Sequence, residues 1–211
     1  IALFFYYFDF IKKVCKGVFN YLIRNDKRYY KEWNYFTTLV IASIPVCLIG
    51  VILNNHLNSL SKYIGIMLII NGGILLFSKW KNANKEMEDL TFKDKIKIGI
   101  CECFGLIPGI SRSGSSLLGC KLIKLNKEDS FNLTFLLLFP LVLGSLVLNI
   151  GDFNLNKVLI IPYIIAFLIT IMTTYLSVFL LHRCISKGKE KIFGWYCVLI
   201  GAIYSIILLV I

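Results

Sequence analysis

Apolar and polar residues alternate along this chain in long blocks. Five apolar blocks read as membrane spans: Tyr35 to Leu53, Tyr63 to Ser78, Phe131 to Ile150, Val158 to Leu181 and Ile192 to Ile211. A helix rises about 1.5 Å per residue, so about 20 residues cross the hydrocarbon layer. Ile1 to Ile11, interrupted by Asp9, reads as the end of a further span. Pro45 is expected to kink the first full block. Asn71-Gly72-Gly73, in the middle of the second, would let another helix approach closely.

The polar linkers orient these blocks. Lys12 to Asn34 holds seven cations against two anions and reads as a loop, with a short surface helix over Val18 to Ile23. Lys79 to Lys97 has six lysines against four acids, and residues 121–130 hold Lys121, Lys124 and Lys127. His182 to Lys191 carries four cations against Glu190 alone. Such stretches stay on the cytoplasmic side. Asn54 to Lys62 and Gly151 to Lys157 carry little net charge and fall outside. His56, alone in the first of these, reads as merely solvated.

Both linkers flanking residues 98–120 are thus cytoplasmic. Twenty-three residues broken by Pro108-Gly109 are too few for two spans. The segment is expected to be a re-entrant helix–loop–helix with its tip at Pro108 to Gly114. Asp89-Leu90-Thr91-Phe92 reads as a helix start ahead of this segment. Irregular backbone at that depth survives only where protein or a water-filled cavity covers it.

Composition agrees with one all-α, polytopic membrane bundle over residues 1–211: 57% of residues are hydrophobic and mean hydropathy is +0.75. The net charge of +11 lies between apolar runs, which argues against nucleic acid as a partner. The seven cysteines lie mostly in or beside apolar runs and read as buried small hydrophobes.

The chemistry sits in IGICECFGLIPGISRSGSSLLGC, residues 98–120. A guanidinium at membrane depth costs about 2.5–3.5 kcal/mol on insertion scales, so Arg112 demands a partner. An anion is the simplest partner, and Glu102 is the alternative. N–H groups after Gly109 would open the second half-helix and favour an anion. The Arg112 fork suits phosphate, and Ser111, Ser113 and Ser116 add hydroxyls. Ser113 and Ser116, three apart, would share a face. Ser115 reads as bonded to its own backbone. A Gly-Lys-Ser/Thr phosphate loop after a strand is absent.

Pro108-Gly109-Ile110-Ser111-Arg112-Ser113-Gly114, with Ser116 in the last place, resembles the P-G-x-S-R-S-G-x-[TS] signature of the undecaprenyl-diphosphate phosphatase, or bacitracin-resistance, family. Phe131 to Pro140 is similar to that family's F-S-F-L-L-x-x-P helix, and Ile44-Pro45 to its Ile-Pro pair. The resemblance implies hydrolysis of undecaprenyl diphosphate to the monophosphate carrier lipid of cell-wall synthesis, in a bacterial plasma membrane. It implies an inverted repeat with two re-entrant tips, a divalent cation (Mg²⁺ or Ca²⁺), and a polyprenyl diphosphate, the bilayer and, as a further partner, a second copy in a homodimer.

Residue by residue, the resemblance makes Arg112, Ser111 and Ser116 catalytic. Gly109, Ser113 and Gly114 are expected to bind substrate. Glu102, where many members carry Gln, is a candidate metal ligand. The family also carries a Glu-rich helix followed by P-x-S-S-x-G-H, which supplies most metal ligands, the serine nucleophile and a histidine. That motif does not occur in these 211 residues. The sequence, opening on Ile1, is read as N-terminally incomplete and expected to lack turnover by itself. Two other readings compete: a transporter or flippase for an anionic lipid using the same cradle, and a scaffold without chemistry.

Overall fold

The computed structural model describes residues 2–57, 62–78, 80, 83–149, 160–186, 189 and 191–210. Among the described residues ten α-helices follow one another: α1 (Ala2–Tyr6), α2 (Phe8–Arg24), α3 (Tyr30–Leu57), α4 (Ile64–Phe77), α5 (Phe92–Phe104), α6 (Arg112–Leu122), α7 (Lys127–Leu136), α8 (Leu138–Asn149), α9 (Ile160–Ser186) and α10 (Lys191–Val210). The described residues contain no strand beyond an isolated bridge between Lys85 and Leu125. Among the described residues four helices are long and apolar enough to cross a membrane, over Lys27–Leu53, Lys127–Val147, Ile161–Cys184 and Lys191–Leu208; Ile64–Phe77 is a shorter apolar helix. Ile161, Met172 and Leu176 on α9 and Trp195 and Leu199 on α10 are exposed. The chain is a multi-pass membrane protein, and lipid is the solvent these side chains fit.

One expectation is corrected. Residues 12–23 do not form a loop with a short surface helix; they belong to the continuous helix α2. Lys12, Lys13 and Lys16 point outward while Val14, Gly17 and Asn20 are buried, a spacing of three residues that keeps a helix stripe. A Cβ at Gly17 would collide with the Glu32 side chain, so glycine lets α2 lie tightly on α3. Asn25, in the left-handed region at φ 52°, ends the helix. The Asp26 carboxylate then accepts the Arg28 N–H and caps a 3₁₀ turn over Lys27–Tyr29.

The expected close approach at Asn71-Gly72-Gly73 is met by one glycine. A Cβ at Gly72 would sit 2.6 Å from the Gly194 carbonyl oxygen, whereas one at Gly73 meets nothing within 4 Å. Gly65 and Gly72 of α4 face Gly201 and Gly194 of α10, and each pair is seven residues apart along its helix. This spacing returns to the same helix face after two turns and brings the antiparallel backbones together.

The expected span from Phe131 to Ile150 corresponds to the apolar stretch Lys127–Val147, whose helix is interrupted at Leu137, between α7 and α8. Pro140 explains the break: it has no N–H for the carbonyl four residues back, and its ring crowds that carbonyl. The first four residues of the 54–62 linker continue α3 to Leu57, whereas residues 58–61 and 151–157 lie outside the described residues, as does the His56 side chain.

Helices α5 and α6 form the expected hairpin. Thr91 caps α5, accepting the Asp94 N–H while Asp94 accepts the Thr91 N–H. At the open end of the hairpin the Lys85 N–H donates to the Lys124 carbonyl (3.1 Å) and the Asn126 N–H to the Lys85 carbonyl (2.9 Å). Asp129 ties three segments there. It accepts the Tyr35 hydroxyl of α3 (2.5 Å), the Met87 N–H (3.3 Å) and the Asn126 amide (2.7 Å), and pairs with Lys31 at 3.4 Å. Ile98, Cys120, Leu125, Leu133 and Leu137 fill the core between the hairpin, α3 and α7. The hairpin is therefore braced at its base, and its tip is carried to α4.

Candidate active site

The tip is built by three glycines whose missing side chains are required. Gly105 ends α5 where a Cβ would lie 2.8 Å from the Arg112 Cα, so the two strands of the hairpin touch there. Gly109 has φ 94°, and a Cβ on it would lie 2.7 Å from the Ile64 carbonyl oxygen of α4. Gly99, lower in α5, takes the hairpin against Ala42 and Pro45 of α3.

Ser111 is the N-cap of α6: its hydroxyl accepts the Gly114 N–H at 3.1 Å. The Ser111 N–H donates to Asn71 Oδ1 at 3.2 Å, and the Ile110 N–H closes a turn on the Ile107 carbonyl. The run of N–H groups after Gly109 is thus partly consumed. Among the described residues, only those of Arg112 and Ser113 remain without an acceptor at this helix start. The Arg112 guanidinium is exposed and forms no ion pair with any described residue. One fixed charge and two backbone N–H groups at the start of α6 are thus the donors this segment could offer an anion.

The serines divide by role. Ser113 lies beside the Ser111 hydroxyl at 3.3 Å and faces a cavity. Ser115 bonds back to the Ser111 carbonyl, as its sequence context suggested. Ser116 is fully buried, with its hydroxyl 3.0 Å from Glu102 Oε1 and 3.1 Å from the Arg112 carbonyl. The expected shared face of Ser113 and Ser116 therefore serves two environments: a cavity on one side and α5 on the other.

Glu102 is 2% exposed, its Oε1 takes Ser116, and its Oε2 has no hydrogen-bond partner among the described residues. The Glu102–Arg112 ion pair, the alternative considered from sequence, is not formed; the burial of Glu102 against α6 leaves it Ser116 instead. No group of three or more His, Cys, Asp or Glu residues suited to a metal occurs among the described residues. A hard divalent cation takes six or more oxygens. One enclosed carboxylate does not fit that requirement by itself.

The cavity beside the tip has a volume of about 250 Å³. Its polar end is Asn71, Ser111, Ser113 and Gly114; its walls include Phe131 and Phe135 of α7 and Phe193 and Tyr196 of α10. Asn71 and these aromatic residues were not singled out as site residues from sequence. Asn71 left a signal, a lone amide amid an apolar run, where polar groups are expensive. Phe131 and Phe135 lie in the stretch similar to the family's F-S-F-L-L-x-x-P helix, whereas Phe193 and Tyr196 left no signal, because an apolar residue facing a cavity reads like one facing lipid.

Comparison with known proteins follows this geometry. The family model described as Bacitracin resistance protein BacA matches residues 1–203. "Undecaprenyl-diphosphatase 2" of Bacillus thuringiensis (strain Al Hakam) is 32% identical over 203 residues, covering 93% of this chain and 75% of the relative. "Undecaprenyl-diphosphatase" of Thermosipho melanesiensis is 34% identical over 202 residues, covering 94% and 78%. A protein of the same name from Methanococcus vannielii is 31% identical over 194 residues, covering 90% and 75%. Matched by the family model over nearly its whole length, and by relatives above 30% identity, the chain belongs to the bacitracin resistance protein BacA family.

Proposed function

We propose that this protein is an undecaprenyl-diphosphate phosphatase. It hydrolyses undecaprenyl diphosphate to undecaprenyl phosphate and orthophosphate, recycling a cell-wall carrier lipid and conferring resistance to bacitracin. The observation that carries the reading is Arg112: an exposed guanidinium at the start of α6 that pairs with no described residue, beside two N–H groups without an acceptor among the described residues, within a motif that resembles the phosphatase family's signature. The transport reading uses the same cradle, but the relatives are named as diphosphatases and nothing in the fold favours transport over hydrolysis.

The hairpin enters and leaves on the cytoplasmic side and carries its tip to membrane depth, as one half of an inverted repeat. The basic stretches at both of its ends support this placement. The reaction adds water across the phosphoanhydride bond: the water oxygen bonds to the terminal phosphorus and the bridging oxygen leaves with the lipid phosphate. Transfer of this kind relies on positioning and charge stabilisation. Arg112 takes non-bridging oxygens of the diphosphate bidentately. The N–H groups of Arg112 and Ser113 and the Ser113 hydroxyl meet the remaining charge. Gly109 and Gly114 allow the backbone to come close. Ser111 caps α6 and Ser116 with Glu102 locks α6 to α5. Mg²⁺ or Ca²⁺ is part of this proposal through the family resemblance; the described residues do not build its site, and no step here depends on it. The partners are the polyprenyl diphosphate and the bilayer, with a homodimer as the assembly to be checked by light scattering.

The test is phosphate release from undecaprenyl diphosphate by the detergent-purified protein, expressed from its complete reading frame, with and without chelator. Chelator-sensitive release is expected. Arg112→Ala should lower kcat/KM by about 10²–10³-fold, the usual loss for one charge-stabilising donor, with the melting temperature retained. A folded, metal-supplied protein that releases no phosphate overturns the reading.

A further inference from the structure

We infer that Asn71 is the positioning residue of the tip, setting through Ser111 the donors that hold the diphosphate. The inference rests on the phosphatase reading and extends it to a helix that contributes none of the signature motif.

Asn71 lies halfway along α4, a helix otherwise composed of apolar residues and glycine. It is 3% exposed. A buried amide at membrane depth is expensive unless it is bonded, and its bonds show its use. Oδ1 accepts the Ser111 N–H at 3.2 Å; among the described residues Nδ2 meets only the weak Cys197 sulfur, at 3.5 Å. The amide also borders the cavity beside Ser111, Ser113 and Gly114.

The Ser111 N–H is the hinge of the site. Residues 105–110 are non-helical, and α6 begins immediately after Ser111. The Ser111 dihedrals decide where the first helical N–H groups and the Arg112 side chain point. Local bonds on the far side are already spent: the Ser111 hydroxyl caps Gly114, and the Ile110 N–H closes its own turn. Among the described residues, Asn71 is what ties the N–H at the junction to another helix. Gly72, the next residue, packs α4 against α10, so the amide is mounted on a fixed element. Small misplacement of a charge-stabilising group can cost about 10²-fold in rate. A positioning residue is therefore expected to act on kcat more than on KM.

The experiment compares phosphate release by the full-length protein and three variants in detergent. Asn71→Leu keeps the approximate volume and removes the acceptor; kcat should fall by about 10- to 100-fold with KM changed by less than about threefold. Asn71→Asp keeps the acceptor beside the bound phosphate. Its activity should fall more steeply with rising pH than that of the parent, because an ionised carboxylate repels the substrate. Gly73→Ala, whose Cβ meets open space, should match the parent. Hydrogen exchange over residues 108–114 should be faster in Asn71→Leu and unchanged in Gly73→Ala.

A folded Asn71→Leu variant with kcat within twofold of the parent overturns the inference. So does a Gly73→Ala variant that loses as much, since the effect would then belong to helix packing. Failure of the parent to release phosphate sinks the phosphatase reading instead. In that case the exchange arm decides alone, and unchanged exchange at the tip in Asn71→Leu overturns the anchor.

Discussion

At the scale of single residues, the signature motif is less a set of equal contributors than a division of labour. The Arg112 side chain is exposed and Ser113 lines the cavity, while Ser111 and Ser116 spend their hydroxyls on the fold. Ser116 is the sharper case, because its partner Glu102 is enclosed and has no other bond to Oε1 or Oε2 from a described side chain. Removing the hydroxyl leaves a buried carboxylate without a donor. Ser116→Ala should destabilise the protein by about 1–3 kcal/mol, the penalty for an unsatisfied buried polar group. Ser116→Thr keeps the donor and should unfold near the parent temperature. Thermal unfolding in detergent reads both. Equal melting of the alanine variant and the parent would show that the Glu102–Ser116 bond carries no stability.

At the scale of elements, the hairpin depends on the start of α5. Asp94 sits in the first turn, accepts the Thr91 N–H and hydroxyl, and pairs with Lys85 at 2.6 Å. Burial raises its pKa, but the bonds from Lys85 and Thr91 outweigh that and hold the carboxyl below its ordinary value. A carboxyl depressed in the folded state adds stability above its unfolded pKa of about 3.9, and the gain disappears as pH falls through the lower folded value. The melting temperature of the parent should therefore drop below about pH 4. That of Asp94→Asn should be lower at neutral pH and flatter with acid. Parallel pH curves for the two proteins would remove Asp94 from the account. The same junction shows why the helix start was legible: Thr91 and Asp94 form a capping box whose residue types and spacing are visible in the chain itself.

At the scale of the whole molecule, the proposed site rests on the re-entrant reading of the hairpin, which requires both of its ends to lie on one face of the membrane. Single cysteines at Glu86 and Lys124, in a cysteine-free background, should react with an impermeant maleimide from the same face of sealed vesicles. A cysteine at Lys62 should react from the opposite face. Labelling of Glu86→Cys and Lys124→Cys from opposite faces would make residues 92–122 cross the membrane and would remove the re-entrant tip. The bracing seen in the fold suits the re-entrant arrangement. Asp129 and the Lys85–Lys124 bond close the base, and α4 receives the tip.

The sequence by itself determined the helical class, the apolar blocks and the segment that carries the chemistry. Those follow from local causes: block hydropathy, the charge of linkers, proline and glycine at a forced bend, and a guanidinium in an apolar run. It did not show that α2 continues through its lysines, because counting charge hides a stripe that only becomes visible once Val14, Gly17 and Asn20 have a helix to bury against. Only the tertiary structure decided which donors remain free at the tip. Asn71 takes the Ser111 N–H from 40 residues away, and Glu102 takes Ser116 rather than Arg112. The physical reason is that hydrogen-bond capacity is finite. Which groups are left for a ligand depends on every neighbour that reaches them first, and those neighbours are set by packing between helices.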